Sequence, residues 1–356
     1  MVVKNLSLQG FRNHHKRTFD FGKTTIIIGH NTAGKTNILE ALYILSHGTS
    51  FRASHDADVI EEKRDFTKLI GRIESVDDTT ELTVSFARTA TTFLSKKYQV
   101  NGVARTLKTF SDYFYTVLFT PQDIEIITAS PSVRRRYIDS ILTKAHKEYR
   151  AASNKYEKAL RQRNRMLHDM KTGKKEYKST DFEFWENLLI ENGGIIHNFR
   201  NAFVEYVNAY VKEVFKFALF YDHSAITTER LFKYHFEERA SGVTLIGPQR
   251  DDFQFLFEEG KKGLPAGKKE IREFGSRGEQ RLTILQMKLI EISYLKQATS
   301  ELPVLLLDDI FSELDEENID KIYHFLEAQQ TIITTTHQEF VPHEIMSQED
   351  LKIIQL

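Results

Sequence analysis

The stretch "IIIGHNTAGKTNILEAL", residues 26 to 42, decides the reading of this chain. Three β-branched residues, Ile26, Ile27 and Ile28, run into Gly29, and a short loop then closes on Gly34, Lys35 and Thr36. Downstream, Ile38, Leu39, Ala41, Leu42, Ile44 and Leu45 fall on one broad apolar face at helical spacing before Gly48 ends the run. The order is therefore strand, loop, helix, the context in which the pattern G-x-x-x-x-G-K-[ST] cradles phosphate. Backbone N–H groups of residues 29 to 37 (Gly29, His30, Asn31, Thr32, Ala33, Gly34, Lys35, Thr36, Asn37) and the positive helix end are expected to wrap a triphosphate. Lys35 reaches its outer oxygens and the Thr36 hydroxyl ligates Mg²⁺. ATP and Mg²⁺ are the implied cofactors.

The chain has 356 residues, ordinary globular composition at 40% hydrophobic and 12% aromatic, and no cysteine. The last fact excludes disulfides, thiolate metal sites and cysteine nucleophiles, and fits a reducing compartment. No run approaches the length of a membrane span, and "MVVKNLSLQGFRNHH" has no signal-peptide core, so a soluble, cytoplasmic protein is expected. The net charge of −1 hides two poles. Residues 131 to 178 carry 15 Lys or Arg against 5 Asp or Glu, and residues 301 to 356 carry 2 against 13. The basic stretch fits either phosphate-backbone contact or a solvated helix face. If DNA binds there, Arg134, Arg135, Arg136, Lys155, Arg161 and Arg163 are its expected contacts.

Residues 1 to 120 read mainly as strands around one helix, through "KLIGRIES", "ELTVSFAR" and "KKYQVNG". From about Pro131 to Phe236 long polar segments with helical periodicity take over and strand signal almost vanishes. Val133, Tyr137, Ile141, Ala145, Tyr149 and Ala152 repeat every three or four residues, and "KTGKKEYKSTD" is expected to turn the chain back into an antiparallel helical arm. Past "VTLIGPQRDDFQFLF", a Gly-rich turn feeds an apolar helix. "LPVLLLDDIFSELDEENIDKIYHFLEAQQTIITTTH" then gives strand, acidic pair, helix and strand.

The apolar run Val304 to Leu307 puts Asp308 and Asp309 at the carboxyl end of a strand, where α/β sheets hold ligands. Asp308 is expected to hold Mg²⁺ opposite Thr36, with Asp309 polarising the attacking water. In "FGSRGEQR", residues 274 to 281, Ser276 and Gly278 open a helix, which fits a second anion site or a plain N-cap. Two copies meeting head to tail would give both sites one use. His337 follows a β-branched strand, where it either meets the γ-phosphate or caps and faces solvent. No histidine spacing suggests zinc.

These stretches, with "NLSLQGFRNHH", "VLFTPQDIEII", "SPSVRRRYID" and "LIGPQRDDF", resemble the bacterial RecF recombination-repair proteins nearly end to end; these are a short-armed branch of the ABC and SMC-type ATPases. The resemblance implies an α/β fold: an ABC-type ATPase head with a P-loop and mixed sheet, an inserted helical arm and no long coiled coil. Residues 1 to 120 and 240 to 356 would form the ATPase lobe and 121 to 239 the arm. It implies an ATP-dependent homodimer that binds double-stranded DNA near gaps or junctions, hydrolyses ATP slowly and helps load recombinase with RecO and RecR. Carried over, Ser276, Gly278 and Gln280 belong to the signature that caps the partner's ATP. Gln122 in "TPQDI" stands near Mg²⁺ and the attacking water, His337 at the switch histidine, and Arg12 at an early arginine brought near nucleotide. A strand-edge surface role fits Arg12 equally. Thr32 and Ala33 depart from the family's usual glycine and polar residue, so Thr32 must take the glycine's backbone angle. Two other functions share the motifs: a nucleotide-stabilised scaffold with incidental turnover, and a motor subunit of a membrane transporter, against which the basic arm argues.

Overall fold

A computed structural model describes residues 1–75, 78–89, 94–258, 269–312, 326 and 328–356. The chain divides into two compact units, residues 1–123 with 285–356, and residues 124–284.

The first unit holds two sheets. Strands β1 (Val2–Phe11), β2 (His14–Asp20), β4 (Phe66–Glu74), β5 (Thr79–Arg88), β6 (Leu94–Val100) and β7 (Val103–Arg105) pair antiparallel in the order β2-β1-β4-β5-β6-β7. Their side chains alternate. Val3, Leu6, Leu8, Leu69, Ile73, Leu82, Val84 and Phe86 turn inward onto helix α1 (Lys35–His47), which contributes Ile38, Leu39, Leu42 and Leu45 to the same core.

The second sheet is parallel, in the order β13-β3-β12-β11-β8, from β3 (Thr24–Ile28), β8 (Thr116–Phe119), β11 (Val304–Asp308), β12 (Thr331–Thr335) and β13 (Leu351–Gln355). Its inner strands β11 and β12 are buried at every residue, as a sheet covered on both faces requires, which is why they read as continuous apolar or β-branched runs. The two kinds of pairing expected of a mixed sheet are thus both present, one in each sheet. All five parallel strands point one way, so β3, β12, β11 and β8 deliver their following loops to a single edge.

The second unit is built on α2 (Pro131–Ala145), α3 (Lys147–Lys171) and α4 (Ser179–Ala209), with a two-stranded antiparallel sheet of β9 (Phe217–Asp222) and β10 (Asp252–Phe257). α3 and α4 pack side by side, joined by the polar turn at 172–178. Three details differ from the sequence reading. The first long segment is two helices, because His146 adopts an extended backbone (φ −131°, ψ 115°) between them. The tail of the second segment is a strand, β9, whose Phe217, Leu219 and Tyr221 are buried alternately. Since β10 pairs with β9 and the turn Ile271–Phe274 packs on β10, the contact boundary falls after residue 284 instead of near 240. Helix α5 (Arg277–Thr299) runs across it.

A buried ionic network holds this unit together. Arg200 donates to Asp139 (2.9 Å) and Asp251 (2.6 Å), and Arg134 to Asp252 (2.7 Å). Tyr221 and the Ser224 backbone also donate to Asp251. Arg163 donates to Glu186 (3.0 Å), Glu238 (2.7 Å) and the Thr244 hydroxyl (2.9 Å). Of the expected helix after Asp309 only residues 310–312, 326 and 328 are described, and residues 259–268 of the Gly-rich turn likewise lie outside the described residues. Among the described residues, no helix is long and apolar enough to cross a membrane.

Candidate functional site

The edge that collects the parallel strand ends also collects the phosphate-loop residues. β3 ends at Ile28, the loop follows, and α1 starts at Lys35. Gly34 sits at φ 102°, and a Cβ there would lie 2.6 Å from Asn13 Oδ1 and 2.7 Å from His14 Nε2, so only glycine fits. Asn13 Nδ2 donates to the Thr32 and Ala33 carbonyls (3.3 and 3.2 Å), and His14 Nε2 lies 3.2 Å from the Gly34 carbonyl. Burial pushes the His14 pKa down, which keeps that imidazole neutral. Thr32 takes φ 74°, the left-handed angle that a β-branched residue adopts only under strain. His30, Asn31 and Thr32 are exposed at the loop crest.

Lys35 is buried and donates to the Gly29 and His30 carbonyls (2.6 and 3.0 Å). Burial lowers its pKa, offset in part by the charges of Asp309 and Asp308. The Thr36 hydroxyl lies 2.9 Å from Asp308 Oδ1, although 272 residues separate them, and the Thr334 hydroxyl donates to the same oxygen at 2.7 Å. Burial pushes the Asp308 carboxyl above the ordinary carboxylate range, against the hydrogen bonds from Thr334 and Thr36. A buried carboxylate beside a hydroxyl suits a hard divalent metal such as Mg²⁺. Asp309 takes φ 52° and accepts from Ser312 on Oδ2 (2.8 Å), while its Oδ1 is buried without a hydrogen-bond partner among the described residues. An orphaned buried acceptor is expensive unless something is bound to it.

Gln122 is exposed three residues past the end of β8, and His337 is exposed two residues past β12, edge to face with Phe340 at 5.3 Å. Strand order brings both to the same edge as Asp308; no hydrogen bond joins either side chain to the acidic pair. Arg12 is committed elsewhere. Its guanidinium donates to fully buried Glu40 (2.9 and 2.6 Å) and to the Asp58 carbonyl (2.9 Å). Glu40 also accepts from Arg52 and Ser50, and Arg52 in turn bonds Asn37 on the first turn of α1. Burial raises the Glu40 carboxyl's pKa, but the hydrogen bonds from Arg12, Ser50 and Arg52 outweigh it and the net shift is downward. Asn13, His14, Glu40, Arg52 and Thr334 were absent from the sequence-derived set. A glutamate on the apolar face of α1 was the signal that could have found this clamp.

In the second unit, Ser276 is exposed at the start of α5 and forms a capping box: Glu279 N–H donates to Ser276 Oγ (3.3 Å), and Ser276 N–H donates to the Glu279 carboxylate (2.9 Å). Gly278 is exposed, with open space around a would-be Cβ up to Ser276 Oγ at 4.0 Å. Gln280 is different. It is buried and donates to the carbonyls of Ile271, Arg272 and Gly275, so within one chain it fastens the turn before α5. Two of the six expected DNA contacts are corrected outright. Arg134 and Arg163 are 4% and 2% exposed and held in ion pairs, because carboxylates distant in sequence neutralise them inside the fold. Arg135 is half-buried on the Asp251 carbonyl, whereas Arg136, Lys155 and Arg161 are exposed.

A phosphate loop and an acidic strand end on the two-sheet first unit, with a helix-start serine in the second, define an ATPase head of the ABC and SMC type. A family description, the RecF/RecN/SMC N terminal domain, matches residues 2–352, and the chain belongs to that family. Within it, the DNA replication and repair protein RecF of Bacillus cereus (strain B4264) is 29% identical over 98% of this chain and 95% of its own length, and RecF of Bacillus thuringiensis (strain Al Hakam) is equally similar. A solved structure of the recombination mediator protein RecF with ATP, from the RecFOR pathway, superposes with a TM-score of 0.85 at 29% identity, covering 96% of this chain and 93% of that one. The Smc head bound to the C-winged helix domain of ScpA shares the fold at TM-score 0.51 and 18% identity, covering 96% and 91%. The resemblance to RecF proteins holds over the whole length.

Proposed function

We propose that this chain is an ATP-dependent, dimerising DNA-binding protein of replication and recombinational repair, acting near gaps or junctions in double-stranded DNA, with slow hydrolysis as the release step. The observation that carries the reading is the pairing of Thr36 with Asp308 at 2.9 Å beside buried Lys35 and the orphaned Asp309 oxygen. Lys35 and the loop amides hold the triphosphate, and Thr36 and Asp308 hold Mg²⁺, which when bound neutralises phosphate charge. Asp309 offers its free Oδ1 to orient water. Exposed Ser276 and Gly278 serve a second copy's nucleotide, so ATP fastens two heads. DNA meets exposed Arg136, Lys155 and Arg161, which act without sequence preference. The relatives named for the RecFOR pathway support RecR and RecO as partners.

Asp309→Asn tests the switch. The variant is expected to bind ATP normally and to stay on duplex DNA in ATP, with dissociation slowed about 100-fold, the scale of losing one general base. Dissociation at the parent's rate would mean that hydrolysis does not release DNA.

A further inference from the structure

The second unit contains a cavity of about 340 Å³ that none of the motifs explains. Its lining includes Tyr177 and Phe182, at the turn into α4, and Phe232 and His235, on the short helices Thr228–Lys233 and His235–Ser241. Phe232 is 85% exposed and the neighbouring Phe236 78%, which makes them the two most exposed large apolar side chains described. A solvent-facing phenylalanine lining a cavity, with a second four residues on, marks a surface meant to be covered.

The polar groups narrow what covers it. Buried Arg163 lines the cavity with its guanidinium 5.7 Å from the Phe182 ring. Both Arg163 bonds to Glu186 fall on Oε1, which leaves Oε2 as an acceptor in the wall. Arg239 also lines the cavity, 3.9 Å from Glu176, and the stretch 171–178 that supplies Tyr177 carries four lysines against that one glutamate. Lys175 Nζ lies 4.5 Å from the Tyr177 ring centroid. Aromatic side chains, a carboxylate and the Arg239 guanidinium along the lining, with a lysine-rich turn running into Tyr177, match a nucleobase with its phosphates outside; an apolar peptide has no use for those cations.

We propose that this cavity takes an unpaired nucleotide of single-stranded DNA, stacked on Phe232 with its backbone on the lysine-rich turn. The proposal rests on the DNA-binding reading above and gives it a means of choosing gaps and junctions. Stacking on exposed aromatics accepts any base, so recognition is of strandedness and not of sequence.

The test uses the full chain with a short fluorescent oligodeoxythymidylate and, in parallel, a blunt duplex. Phe232→Ala, at a site too exposed to disturb folding, is expected to weaken oligonucleotide binding about five-fold or more, with Phe232→Trp restoring it and duplex affinity unchanged by either. An iodouracil-containing oligonucleotide is expected to photo-crosslink to Tyr177, Phe232 or His235. Absence of oligonucleotide binding by the parent, or equal binding by Phe232→Ala, overturns the proposal; the latter would leave the cavity to a protein partner. Loss of duplex binding alone, with the oligonucleotide effect intact, would overturn the function proposed above and leave this site standing.

Discussion

Replacing Arg163 by methionine separates two roles that a basic segment confuses. Counted by charge, Arg163 belongs to a phosphate-binding surface. In the fold it is 2% exposed and bonded to Glu186, Glu238 and Thr244, and Glu238 is itself fully buried. Methionine fills most of the volume but leaves the Glu238 carboxylate with only the Leu245 backbone N–H at 2.8 Å. Breaking a buried pair from one side costs about 3–5 kcal/mol. For a unit of this size each kcal/mol is worth roughly 2–4 °C, so unfolding is expected about 6–20 °C lower. Removing Glu238 as well, as Arg163→Met/Glu238→Leu, should recover much of the loss, since the stranded charge goes with it. Calorimetry on the full chain reads the shift. Salt titration of duplex binding reads the other role: Arg163→Met should keep the parent's slope, while Lys155→Ala and Arg161→Ala each lower it by about 0.9. A variant that unfolds with the parent and binds DNA with a reduced slope would refute the buried-pair reasoning.

Glu40→Gln should loosen the clamp on Arg12 and Arg52 and destabilise the first unit by about 1–3 kcal/mol, read by urea unfolding. Because the folded Glu40 pKa is depressed, its charge contributes stability above its unfolded pKa that is lost as pH falls through the folded value; the parent's advantage over the variant should therefore vanish in acid. Asp308 runs the other way. Its raised pKa means that the folded chain gains a proton above the ordinary carboxylate range, so Mg²⁺ affinity, measured by titration calorimetry with ATP, should fall with pH before the ordinary carboxylates titrate. A flat profile through that window, or loss of affinity only at the unperturbed carboxylate pH, would contradict it.

What could be read from the chain was what depends on neighbours in sequence. The loop from Gly29 to Thr36 declares itself by spacing, and Val304 to Asp308 by an apolar run ending in acid. The pairing of Thr36 with Asp308 followed because strand ends gather at one edge. Missed features depend on distant partners or on competing periods. Arg134 finds Asp252 118 residues away and Arg163 finds Glu238 75 away, which no local charge count sees. Even so, Arg163 continues the three-and-four seam of Tyr149, Ala152, Tyr156 and Ala159, a position that predicts burial. In β9, Phe217, Leu219 and Tyr221 alternate, but the strand follows α4 closely enough that its period-two signal merged with the helix. Glu40 stayed hidden because its partners, Arg12 and Arg52, lie in separate segments on either side of it.

The shared nucleotide site is the claim on which the rest depends. ATP turnover per molecule, measured against protein concentration with and without duplex DNA for the parent and for Ser276→Arg, tests it most directly. Turnover is expected to rise with concentration, to respond to DNA and to collapse in the variant, whose bulky cation at an exposed helix start would block a second copy. Turnover that is independent of concentration, indifferent to DNA and unchanged by Ser276→Arg would contradict it.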